Sequence, residues 1–517
     1  MPLGEANARH LLRRTEFVDK PDRVAALQAM DVDAAVDNIL NTASAGYSSL
    51  SLGSGENWQQ GQNITRDWLN RMAGRSGGSP FRERMAFFWH GHICSELGKV
   101  NSAPFMREQI DLFREDGVNG TIGQLMKDMS LQVAMLRYLD NDRNVATSPN
   151  QNFAREMMEL FVIGVGNYTE TEVESATSAW TGHTAVWNAP GGNSDAVRTF
   201  NQEQHTRGAL PFFGRTINQI QFRYAGFETI DVMLWLNATY ASGTGGSTSY
   251  ASQGGIVPNG ADNVANRGRP TKEVAAEFLS KKLWQEFGEA NSGTVPPGVL
   301  GAMTTALLDN NFQIRPWVRA MLMHDDFYAE STKNGLVRQP VEYMVALMVA
   351  LGRSAEQVAA LWLMGQAGQE LLYPPNVSGW KPNGFWINAS AFEGRNRLAQ
   401  ACTWPLFETY WAHPWQERHR NYFELQNGQR IHQHEVVGGA GLPAPHDIAP
   451  LPNDVLVDRI LDFMGLTVRP ETRAALIDFC ESHTSGSDPN YYERRQLPLL
   501  IMLAPDLHVS TAVTPTA

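Results

Sequence analysis

A mainly α fold is predicted for this chain: a large multi-helix domain with long irregular insertions and at most a few short strands. Three observations predict it. Helix-start signals recur, with Ser, Thr or Asn set before Pro or three residues before Glu or Gln. Glycines stand just behind apolar-periodic runs, where helices close. Segments of period-2 alternation are scarce, and neither an internal repeat nor a heptad run is present.

Taken in order, Ser79-Pro80 supplies an N-cap and N1 pair that opens FRERMAFFWH, with Gly91 placed to close it. A second helix is expected over 104–115 and a third near Thr121. The strongest start is Ser148-Pro149-Asn150-Gln151: Ser148 caps, Pro149 sits at N1 and Gln151 completes a capping box. That helix is expected to run through NFAREMMELFVI to Gly164. Thr169 and Glu172 open the next, before VESATSAW. Later helices are expected over 272–287, 341–351 and 354–364, the last with a Ser354/Gln357 capping box. Asn453 is read as the cap of VLVDRILDFM, and a helix over 471–482 follows. GRTINQIQFRY reads as a short strand, whereas 187–199 and 241–270 carry the Gly, Ser, Asn and Pro of loops.

These elements predict one domain over 1–517. Loop-rich insertions fall at 185–215, 240–270 and 412–450, and a C-terminal helical segment, 451–505, packs on the core.

The chain has 517 residues, 43% hydrophobic and 19% charged, an ordinary globular balance. Fourteen Trp and 23 Phe provide for a large core. The net charge of -12 argues against a nucleic-acid sleeve or an anionic membrane surface, both of which need a basic face. No run reaches the ~18 apolar residues of a membrane span. The first residues show no apolar signal-peptide region, so the chain as written reads as cytoplasmic, with export of a longer precursor left open. Cys94, Cys402 and Cys480 are widely spaced and read as buried thiols rather than a zinc ribbon or disulfide framework.

Several segments carry chemistry. Asn152, Glu156 and Glu159 follow an i, i+4, i+7 pattern and share one helical stripe. Two carboxylates at that spacing can share a proton, divide acid and base roles or bind a cation. The plainer reading is a solvated face, with Arg155 paired to Glu159. His90 and His92 bracket Gly91 after Phe-Phe-Trp, and their rings converge only if the helix breaks at Gly91. Otherwise each is a core histidine with one hydrogen bond. His205, in EQHTRGALPFFG, is a third imidazole candidate and His183 a fourth; His432, His434 and His446 form a separate group that reads as exposed loop. Tyr373, Trp380 and Trp386 belong to an aromatic, proline-stiffened loop, placed either to stack on a ligand ring or to pack on the core. No Gly-x-Ser-x-Gly elbow, Walker loop, dinucleotide fingerprint, His-Glu-x-x-His or EF-hand loop is present.

Taken together, ARHLLRRTEF, RERMAFFWHGH, LRYLDN, NQNFAREMMELFVIGVGNYTETEVESATSAWTG, RQPVEY and PPNVSGWKPNGFWINASAFEGRNRLA occur in this order. The series resembles the bacterial family called domain of unknown function 1800, over about residues 7–505. The resemblance implies a large helical protein and carries no activity with it. Many members are similar to exported proteins with a twin-arginine signal, which is missing here. The family's signature polar residues correspond to His90, His92, Asn150, Asn152, Arg155, Glu156, Glu159 and Tyr168. The chain departs from the pattern at Gln151, at His183 and at 205–210, where Thr206 and Leu210 stand in place of an acid and a lysine.

Three functions are compatible with these residues. The first is a metal-assisted, hydrolase-like enzyme with a divalent ion of unspecified identity held by His90, His92, Glu156, Glu159 and His205. The second is a metal-free glycan hydrolase or lyase, with Glu156 or Glu159 as acid and the other, or His90, as base, beside Arg155 and Asn152, and with Tyr373, Trp380 and Trp386 stacking on sugar rings. The third is a non-catalytic scaffold or partner-binding protein held by a buried polar network. A small-molecule or glycan substrate is expected under the first two.

Overall fold

The computed structural model describes residues 2–43, 46–188, 195–218, 224–241, 247–249, 263–290, 294–358, 361–381, 383–410, 422–424, 430–432, 452–482 and 496–509. Helices dominate them, and strands occur only as short antiparallel pairs. The mainly α expectation holds. Buried apolar side chains form one contiguous cluster that reaches from Leu3 to Leu507.

The Pro80–His92 helix lies at the centre. Ser79 accepts a hydrogen bond from the Arg82 N–H, and Pro80 occupies the first turn, as the sequence predicts. All of its residues are buried except Pro80 and Gly91. It packs against the Asn57–Met72 and Ala103–Asn119 helices. A helix buried all round has to pair its charges internally. Glu83 does so with Arg114 at 2.7 Å. Arg84 does so with Glu342, on the Pro340–Ala350 helix, and with Glu286, on the Thr271–Phe287 helix.

Several elements differ from the sequence reading. The Pro80–His92 helix runs through Gly91 instead of ending there, because the turn has no need of a left-handed residue at that point. The helix expected from Pro149 starts later, at Asn152. Asn150 Oδ1 accepts from the Asn152 N–H, and Asn144 Oδ1 accepts from the Asn150 N–H, so side-chain turns hold 148–151 outside the helix. The segment Met157–Val162 is a π-helix, not a continuation of the α-helix, and closes at Gly164 with φ 81°. Beyond it, the Thr169/Glu172 capping box forms as predicted.

Of the expected loops, 187–199 includes parts of a hairpin: His183–Asn188 pairs with Asp195–Phe200. Val, Thr, Trp and Phe in HTAVWN and DAVRTF suit extended backbone, but the Gly- and Pro-containing stretch between them reads as loop in the sequence. Arg215–Ile217 forms the expected short strand, against Leu210–Phe212. The 354–364 stretch is two short helices, Ala355–Gln357 and Leu363–Gln366, and Asn453 is the first helical residue rather than the cap. Most of 240–262 and 412–450, with His434 and His446, lies outside the described residues. No described helix is long and apolar enough to cross a membrane. Cys94, Cys402 and Cys480 are buried, and none is in a disulfide.

Removing the Ser79 hydroxyl in Ser79→Ala is expected to lower the stability of the folded protein by about 1 kcal/mol, the usual value of an N-cap. Urea denaturation of variant and wild type checks this.

Candidate functional site

A cleft opens beside the C-terminal end of the Pro80–His92 helix. Phe87, Phe88, Gly91 and His92 line it from that helix, and Leu160 does so from the π segment. Lys282, Gln285 and Glu286 come from the Thr271–Phe287 helix, Gln339 from the residue before Pro340, and Ser378 and Trp380 from the aromatic loop. Including its mouth, the cleft spans about 700 Å³. Most of that volume is open to solvent, and about 90 Å³ is enclosed.

Its floor is an ion-pair network. Arg84 bonds Glu342 and lies 3.3 Å from a Glu286 carboxylate oxygen. Its guanidinium also sits over the rings of Phe17, at 5.3 Å, and Phe287, at 5.1 Å. Gln339 donates to both Glu286 oxygens at 2.8 and 2.9 Å. Gln369 donates to Gln339 at 2.6 Å, and the Gln339 N–H donates to Glu342 in a capping box. Burial pushes the Glu286 carboxyl up to about 7; Glu342 adds to the rise, while Arg84, the Gln339 hydrogen bond and Arg14 oppose it. Burial lowers the Lys282 ammonium from its ordinary value. Carboxyl and ammonium are therefore both titratable closer to neutrality than in water.

The structure separates the predicted imidazoles. His90 Nε2 accepts from the Leu372 N–H at 3.2 Å, and its ring lies between Trp68 and Trp380, 5.5 Å from each. His92 Nε2 meets the Phe161 carbonyl of the π segment at 3.0 Å. The contact requires Nε2 to carry the proton. Burial holds His90 down to about 4 and His92 to about 3, so both rings are neutral. His205 sits elsewhere, bonded through Nδ1 to the Thr181 carbonyl at 2.9 Å and beside Phe200, near His183. These three histidines are not brought together as a ligand set. Among the described residues, no three His, Cys, Asp or Glu side chains converge to hold a metal ion.

The predicted carboxylates lie on the π segment and the turn before it. Glu159 accepts from the Tyr168 hydroxyl at 2.5 Å, and Tyr168 is pushed up to about 12 by burial and by that bond. Burial, then Glu159, raises the Glu156 carboxyl. Arg155 bonds Glu170 at 2.8 Å instead of Glu159, and Asn152 is exposed. Of the aromatic loop, Trp380 lines the cleft and Tyr373 is half-buried. Trp386 is 1% exposed and packs near Gly368, so it belongs to the core and faces no ligand. Gly379 lets this loop lie on the helix end: at φ 72°, an added Cβ would meet the Gly91 carbonyl oxygen at 2.0 Å.

Sequence reasoning overlooked Arg84, Lys282, Gln285, Glu286, Gln339 and Glu342. One signal for the last two was present. Gln339-Pro340-Val341-Glu342 has the form of a capping box with Pro at N1. Lys282 and Glu286 read as an ordinary i, i+4 surface pair.

The model of a family described as "Protein of unknown function (DUF1800)" matches residues 10–241 and 270–509. Comparison with curated proteins and with solved structures returns no match.

Two variants test this geometry. Arg84→Met leaves two buried carboxylates without their cation and is expected to cost about 3–5 kcal/mol in urea denaturation. Gly379→Ala is expected to shift the loop and alter the fluorescence of Trp380, read as the difference between Gly379→Ala spectra with and without Trp380→Phe. Unchanged spectra would contradict the close approach.

Proposed function

Since the chain belongs to the DUF1800 family, whose function is unknown, its chemistry rests on its own cleft, and we propose that it is an acid–base enzyme that cleaves a bond in a carbohydrate. The observation that carries this reading is the placement of one titratable carboxyl, Glu286, in a cleft also lined by the Trp380 side chain and by amide side chains. Sugar rings stack on indoles, and their hydroxyls are bonded by side chains such as Gln285, Gln339 and Ser378. A carboxyl held near 7 is protonated often enough at neutral pH to donate to a leaving oxygen. Glu156, also raised, is not among the residues that line the cleft.

This reading keeps the glycan-directed expectation and moves the proton donor from the Glu156/Glu159 pair to Glu286. A metal-assisted route asks for His90, His92 and His205 to share one ion, and their separate partners do not favour that. The scaffold reading draws support from His90 and His92, which hold the loop and the π segment in place.

A panel of aryl glycosides tests the proposal. Wild type is expected to turn over at least one, with a rate that falls as pH rises through about 7. Glu286→Gln is expected to lose about 100-fold or more. Absence of turnover across the panel favours the scaffold.

Stability gives a second readout. A carboxyl raised in the folded state stabilises fully below its unfolded value of about 4.3, and this contribution is lost as pH rises through about 7. The wild-type Tm is therefore expected to fall relative to Glu286→Gln between about pH 5 and 8. Parallel Tm profiles would show that Glu286 titrates normally.

A further inference from the structure

Lys282 and Glu286 are four residues apart on the Thr271–Phe287 helix, the spacing at which Lys and Glu side chains usually pair. Here they do not. Gln339 and Arg84 draw the Glu286 carboxylate away, with contacts at 2.8, 2.9 and 3.3 Å. Lys282 Nζ lies over the Phe278 ring at 5.5 Å, and among the described residues it makes no ion pair. Its other charge-bearing neighbours are uncharged. His92 is neutral, and burial keeps the Cys94 thiol protonated.

A half-buried ammonium without a counter-charge is unfavourable unless an anion joins it. Lys282 lines the same cleft as Trp380 and the Gln285 and Gln339 amides. We propose that the ligand is an acidic sugar, a uronate whose carboxylate pairs with Lys282 while its ring stacks on Trp380. This rests on the carbohydrate reading above and adds the charge of the substrate. The overall charge of -12 does not oppose it, because screening in salt confines the pairing of a ligand carboxylate with Lys282 to short range.

Saturation-transfer NMR and calorimetry with D-galacturonate and with D-galactose test the assignment on wild type, Lys282→Met and Lys282→Arg. Wild type is expected to bind galacturonate at least about tenfold tighter than galactose, the usual gain from one charged hydrogen bond. Lys282→Met should bind the two sugars equally, and Lys282→Arg should recover part of the preference. Lys282→Met should also fold nearly as stably as wild type, since it gives up the Phe278 ring contact and no ion pair among the described residues. Equal binding of both sugars by wild type overturns the acidic-sugar assignment and leaves the carbohydrate reading standing. Binding of neither overturns both. A marked loss of stability in Lys282→Met shows that the lysine has a structural partner, and overturns the assignment as well.

Discussion

The arrangement of this protein depends on one buried guanidinium. Arg84 is 1% exposed at its side chain, and it has to be neutralised where it lies. Glu342 and Glu286 do this from two other helices, and Phe17 and Phe287 cover its faces. The Pro80–His92, Thr271–Phe287 and Pro340–Ala350 helices and the N-terminal segment are thereby tied to one point. The cleft is the space left beside that point. Its chemistry follows from the same interaction, because the carboxyl that neutralises Arg84 is the one that lines the cleft.

The network also sets the two halves of the proposed site. By holding Glu286 inward, Arg84 and Gln339 leave Lys282 without its helical neighbour. One carboxyl is desolvated and raised, and one ammonium is left for a ligand. On the other side of the cleft, His92 supports the π segment through the Phe161 carbonyl, and His90 supports the loop that brings Trp380. The two histidines act by position, each on a different wall.

Much of this was legible in sequence and some was not. Caps were readable because they are local: Ser79, Thr169 and Ser354 do what their spacing predicts. The start at Asn152 was not, since Asn144 and Asn150 form side-chain turns that depend on a contact across six residues. The π-helix was hidden because its apolar spacing is compatible with an α-helix over so short a run. Trp380 and Trp386 look alike in sequence, and only packing puts one in the cleft and the other in the core. The Arg84 network joins residues 84, 286 and 342, and a single sequence carries no trace of such distant pairing.

The central claim is that the cleft framed by Arg84 is where the ligand binds, and a crystal structure of the protein soaked in D-galacturonate tests it most directly. The account predicts sugar density stacked on Trp380, with the carboxylate at Lys282 Nζ and a hydroxyl within hydrogen-bond distance of Glu286 or Gln339. Sugar bound instead at the Glu159–Tyr168 face, with the cleft holding only solvent, would contradict it.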